Sequence, residues 1–184
     1  SARVGARFES EELLRQADLA VYEAKRTGRG RVVAFGDELR ATIDRRIEVE
    51  AGLRHALAND AIEVHLQPII SLPGASVVGA EALMRWRDAS GSLRAPGEFV
   101  DVAEAAGLMP AIGDAVMRKA LDAVGRLHRA ERPILLSLNA SGPELAETGF
   151  VDRFMTAIEE AGARRSLIMI EVTETSILAD DVSR

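Results

Sequence analysis

The chain has 184 residues, a formal net charge of -6, 47% hydrophobic and 28% charged residues, and no cysteine. That composition is globular, long enough to bury a real core, and too acidic for a nucleic acid polymer to be its main partner. Disulfide frameworks and thiolate metal sites are excluded, and with no ~20-residue apolar run and no signal-peptide pattern the expected location is cytoplasmic, any membrane tether lying in upstream regions.

The chain opens on Ser1 rather than Met and reads as an excerpt of a longer protein. From Ser10, a plausible N-cap, Leu13, Leu14, Ala17, Ala20, Val21 and Ala24 recur at helical spacing. Gly28 and Gly30 end that helix, and residues 31–35 read as a short strand. Together, residues 17–29 resemble the tail of a GGDEF diguanylate cyclase domain. The resemblance implies nucleotide-binding positions at Lys25 and Arg29, although the signature loop of that family is absent. A basic helix C-terminus favoured by the helix dipole explains the same two residues. Residues 1–36 are therefore expected to be the C-terminal tail of a GGDEF-like domain.

Residues 37–59 read as an interdomain helix, with Leu39, Ile43, Ile47 and Ala51 in one stripe and Val49, Leu53 and Leu57 in another. Self-pairing of this helix into a short coiled coil is the alternative. Residues 60–184 then form the next domain.

Residues 61–70 alternate as a strand, with Glu63, His65 and Gln67 opposite Ile62, Val64 and Leu66. Pro68 suits a strand end or edge. After a turn at Leu72-Pro73-Gly74, residues 77–86 form a second strand. Val78, Ala80, Ala82, Met84 and Trp86 make one wholly apolar face. The other face carries Glu81 and Arg85, for which a buried ion pair is the simplest reading. A loop over residues 88–96 leads to a helix starting at Pro96 and running to Gly107. A longer helix spans residues 110–130. Residues 133–141 form a strand with Leu135, Ser137 and Asn139 on one face. A single helix is expected from Pro143 to Gly162, and a last strand over residues 166–174 places Leu167, Met169 and Glu171 together. This alternation of strand and helix implies a parallel α/β sheet.

Three successive strands end on an oxygen-bearing side chain: Glu81, Asn139 and Glu171. Strand C-termini form the active face of parallel α/β folds. Two carboxylates and an amide oxygen are hard donors suited to Mg²⁺ or Mn²⁺. His55, His65 and His128 show no ligand spacing and read as structural or exposed.

Gln67-Pro68, Glu81-Ala82-Leu83, Asn139-Ala140-Ser141 and Glu171-Val172-Thr173-Glu174 resemble, in order, the first four strand-end motifs of EAL domains. Those are bacterial phosphodiesterases that linearise cyclic di-GMP. The resemblance, from about Ile47 onward, implies an α/β fold: part of a TIM-like (β/α)8 barrel with an antiparallel first strand, preceded by the helix-strand remnant of the cyclase-like domain. It implies metal ligation by Glu81, Asn139 and Glu171, and dinucleotide contacts from Gln67, Leu83 and Arg85, the Arg at a phosphate. Glu174 would steady a loop over the metals. The residues acting on the water have no counterpart in this chain, which supplies about half of a barrel. Asp180 and Asp181 follow Glu174 too closely for a fifth strand and read as helix N-terminal residues.

The expected function is hydrolysis of cyclic di-GMP by a bacterial signalling protein. The alternative is an inactive EAL domain that senses cyclic di-GMP or contacts a protein partner. Another metal-dependent α/β enzyme is a third reading. A homodimer through the EAL domain or helix 37–59 stays open.

Overall fold

A computed structural model describes residues 10–26, 28, 30 and 32–172. The chain divides into two compact units between Glu48 and Val49, inside one helix.

The first unit holds α1 (Ser10–Arg26) and the first half of α2 (Asp37–Ala58). Arg46 on α2 pairs with the buried Glu23 of α1, Nη1 to Oε2 at 2.6 Å. Residues 32–35 pair with no strand among the described residues and are not themselves a strand, contrary to the sequence expectation. A strand exists only where a second strand accepts its backbone hydrogen bonds, and the described residues of this unit contain none. Arg29 lies outside the described residues. Lys25 is exposed near the end of α1.

The second unit is built on a mixed sheet: β1 (Ile62–Ser71), β2 (Ser76–Arg87), β3 (Leu93–Arg94), β4 (Leu135–Ala140) and β5 (Ile168–Val172), in the order β1-β2-β4-β5. β1 runs antiparallel to β2, β4 and β5 run parallel to it, and β3 pairs with the end of β2. β1 is an edge strand, which is why Pro68 sits inside it opposite Ala80 without breaking a ladder.

The apolar face expected for β2 is the covered one. Ala80, Ala82 and Trp86 are buried, and α4 (Met109–Arg129) lies against β1, β2 and β4 with α6 (Phe150–Ala161) beside it. Met117, Leu121 and Val124 of α4 meet Leu136 and Leu138 of β4 and Ile158 of α6. Each fully buried aliphatic side chain in that layer contributes about 1.5–3 kcal/mol.

A second cluster joins Val49, Leu53 and Ala56 of α2 to Ile62, Trp86, Phe99 and Ile112. The Trp86 and Phe99 rings meet edge to face, centroids 5.9 Å apart. Of the two stripes on α2, Val49 and Leu53 are thus core, whereas Ile47 of the other is 62% exposed.

Two helices differ from expectation. The segment after Pro96 begins as a 3-10 turn (Pro96–Glu98) and becomes α3 only at Val100–Ala105. The single helix expected to start at Pro143 is two: α5 (Gly142–Ala146) and α6. Gly149, at φ 84, takes the left-handed conformation a side chain would resist, and it restarts the chain as the N-cap of α6. β5 begins at Ile168, two residues later than expected, preceded by a 3-10 turn over Arg165–Leu167.

At the opposite end of the sheet from the strand C-termini, His128 ties three segments together. Its Nε2 donates to the Ile134 carbonyl at 2.8 Å, and its Nδ1 accepts from the Arg164 amide at 2.9 Å. It is structural, as expected. His55 and His65 are exposed.

Candidate functional site

Alternation along the strands sends Gln67, Glu81, Leu83, Arg85, Ser137, Asn139 and Glu171 to the face opposite the helices. Backbone pairing sets their order across the sheet. Gln67 lies opposite Glu81, Glu81 beside Ser137, and Asn139 beside Glu171. Glu81 is half-buried, while Gln67, Asn139 and Glu171 are exposed.

Two side-chain hydrogen bonds bind this row together. Asn139 Nδ2 donates to Glu81 Oε1 at 2.8 Å, leaving the amide oxygen of Asn139 free to bind a cation. Ser137 Oγ donates to Glu171 Oε1 at 2.5 Å. Each carboxylate therefore has one oxygen held by a donor from β4. Sequence reading placed Ser137 on this face and gave it no role. The only signal was its position two residues before Asn139.

The expected Glu81–Arg85 ion pair is not formed. Arg85 instead donates through Nη1 to the Met84 carbonyl at 2.7 Å, and Glu81 takes the Asn139 amide. A half-buried Arg with a free edge on its guanidinium is suited to an anionic ligand. Leu83 is half-buried between Glu81 and Arg85, opposite His65.

Beyond Arg85 the face closes with a bidentate pair. Arg87 donates to Glu63 through Nε at 2.5 Å and Nη2 at 3.1 Å. That bond, more than any other, holds the Glu63 carboxyl below its ordinary range. Asp88 then accepts from the Ser90 hydroxyl, the Arg94 guanidinium, and the Ser90 and Ser92 amides, which fold residues 88–94 into a tight hairpin.

Glu81, Asn139 and Glu171 would supply three oxygen donors to a divalent cation, and they fit that group chemically: hard oxygens only, on neighbouring strand ends, each already oriented by a hydrogen bond. No cluster of three His, Cys, Asp or Glu is present among the described residues, so Asn139 is needed to complete the set. Glu174 lies outside the described residues, as do Asp180 and Asp181.

A cavity of about 250 Å³ lies between the strand ends and α4, α5 and α6, and reaches Leu83 and Asn139. Its walls are largely apolar, with Asp114, Glu144, Glu147 and Arg153 among them, Arg153 pairing with Asp114 and Glu147.

Known proteins resemble this chain over most of its length. Residues 50–183 match the EAL domain family. The cyclic di-GMP phosphodiesterase NbdA of Pseudomonas aeruginosa is 34% identical over 169 residues, 91% of this chain and 22% of NbdA. The bifunctional diguanylate cyclase/cyclic di-GMP phosphodiesterase MucR of the same species is 31% identical, over 92% of this chain and 25% of MucR. The solved MucR phosphodiesterase in complex with c-di-GMP superposes with a TM-score of 0.66 at 29% identity, covering 74% of this chain and 56% of that one. The chain thus spans about a quarter or less of these curated relatives, and about half of the solved domain.

Proposed function

The chain belongs to the EAL domain family, and from that premise we propose that it is part of a bacterial signalling protein whose EAL domain hydrolyses cyclic di-GMP to the linear dinucleotide. The observation that carries this reading is the row Glu81, Asn139 and Glu171 on one sheet face, pre-oriented by hydrogen bonds and followed by the half-buried Arg85.

In this reading Glu81, Asn139 and Glu171 hold Mg²⁺ or Mn²⁺. When bound, the metal activates water and offsets charge on the phosphate oxygens. Arg85 leaves the Met84 carbonyl to take a phosphate oxygen in a fork of two N–H donors. Gln67, opposite Glu81 on the edge strand, and Leu83 bracket the dinucleotide. Glu174 steadies a neighbouring loop. The residues that act on the water belong to the part of the domain this chain does not include.

We further propose that residues 1–36 are the tail of a GGDEF-like domain joined to the EAL domain through the helix at 37–59. Support comes from MucR, a bifunctional cyclase and phosphodiesterase: its match covers 92% of this chain, so it extends well before residue 50, where the EAL match begins. A cytoplasmic location follows from the nucleotide substrate.

The test is incubation of the full-length protein with Mn²⁺ or Mg²⁺ and cyclic di-GMP, following the linear dinucleotide by chromatography. Metal-dependent turnover supports the reading. Tight binding of cyclic di-GMP without turnover would instead establish a sensor.

A further inference from the structure

We propose that Ser137 is a positioning residue for Glu171, setting the carboxylate for the divalent cation; the inference rests on the metal-ligand reading above. Ser137 is 0% exposed, at the centre of β4, flanked in register by Glu81 of β2 and Met169 of β5. Its hydroxyl donates to Glu171 Oε1 at 2.5 Å, reaching across to the next strand and two residues further along.

Packing alone does not call for a hydroxyl at this place. An alanine would fill nearly the same volume, and a buried hydroxyl must find an acceptor or cost free energy. The acceptor is the carboxylate of an otherwise exposed glutamate, whose free rotamers would have to be ordered whenever a ligand bound. With Oε1 fixed by Ser137, Oε2 is left for a cation. This is the arrangement by which outer partners orient metal-binding carboxylates, and losing such a partner typically weakens metal affinity on the order of 10- to 100-fold.

Asn139 and Ser137 divide the work along β4. Asn139 holds Glu81 on one side and offers its own oxygen, whereas Ser137 holds Glu171 on the other side and offers none. Ser137 therefore acts through Glu171 and touches no substrate.

The experiment measures Mn²⁺ binding by the electron paramagnetic resonance signal of the free ion, with thermal melting alongside. Full-length wild type, Ser137→Ala, Ser137→Thr and Glu171→Ala are compared. Ser137→Ala is expected to weaken Mn²⁺ binding on the order of 10- to 100-fold at nearly unchanged melting temperature, and Ser137→Thr, which keeps the hydroxyl, to restore most of it. Wild-type affinity in Ser137→Ala overturns the proposal. So does a Thr variant as weak as Ala, or a loss of binding that merely tracks a fall in melting temperature. Should wild type bind no Mn²⁺, or Glu171→Ala bind as tightly as wild type, the metal assignment itself falls. A weak Glu171→Ala beside a tight Ser137→Ala removes only the role of Ser137.

Discussion

Asn139 on β4 donates its side-chain amide to Glu81 on β2 across 2.8 Å, joining residues 58 positions apart in the chain. The bond orients both groups at once: Glu81 keeps one oxygen unengaged, and the amide oxygen of Asn139 is turned away from it. Glu81→Gln keeps the shape and an oxygen that still accepts from Asn139, but removes the charge and turns the unengaged oxygen into an NH2 group that cannot bind a cation. Turnover of cyclic di-GMP in the full-length protein is expected to fall by at least ~100-fold, since even outer-sphere changes cost up to that much. The fold should hold, because a half-buried charge is removed rather than introduced. Steady-state rates and a melting curve check both halves. Near-wild-type turnover would sink the metal role of Glu81.

The strand faces were legible because period-2 alternation is local: Ala80, Ala82 and Trp86 announce the covered side, and Glu81 and Arg85 must then share the other. The side-chain partners were not. Whether Glu81 meets Arg85 or Asn139 depends on the register between β2 and β4, and the Ser137–Glu171 bond spans 34 positions. No local pattern encodes either. The break between α5 and α6 was hidden for another reason. Leu145 before it and Phe150, Phe154 and Ile158 after it read as one apolar set, while a single glycine at 149 and the capping of α5 by Ser141 and Glu144 decide the geometry. At residues 32–35 the apolar composition suggested a strand, but strand formation needs a partner, which sequence alone cannot supply.

The hairpin after β2 should be acid-sensitive through Asp88. The hydrogen bond from the Ser90 hydroxyl, and next that from Arg94, hold its carboxyl down from 3.8 to about 2. A depressed folded-state value means a contribution that is complete above the unfolded value of about 3.9 and is lost as pH falls toward 2. Wild type and Asp88→Asn should therefore differ in melting temperature by a constant amount down to about pH 4.5, the gap closing by pH 2. A gap that ignores pH would show that Asp88 acts through its shape alone.

His128 should matter to stability and not to chemistry. The ring is 3% exposed and uses both nitrogens, satisfying the Ile134 carbonyl that leads into β4 and the Arg164 amide that leads toward β5. His128→Leu fills much of the space and orphans both backbone groups, each worth about 1–3 kcal/mol when left unpaired. The variant is expected to lose about 2–4 kcal/mol in urea unfolding with KM for cyclic di-GMP unchanged at temperatures where it stays folded. A shift in KM without loss of stability would contradict a structural role.

Arg85 should separate substrate binding from metal binding. Its guanidinium is half-buried and spends one donor on the Met84 carbonyl, so its remaining donors are available to a phosphate. It shares its strand face with Glu81 but makes no ion pair with it, and removing it leaves the Glu81–Asn139 and Ser137–Glu171 bonds untouched. Arg85→Ala is expected to weaken cyclic di-GMP binding by about 10- to 100-fold, the loss of one charge-assisted hydrogen-bonding group at about 1.5–3 kcal/mol. Mn²⁺ affinity in the absence of the dinucleotide should stay at the wild-type level. Arg85→Lys keeps the charge and loses the fork, so it should recover only part of the affinity. Calorimetric titrations with metal and with dinucleotide, run separately, distinguish the outcomes. Loss of metal affinity in Arg85→Ala would place the guanidinium in the metal site instead, and full recovery by Lys would show that charge alone, not the paired donors, holds the phosphate.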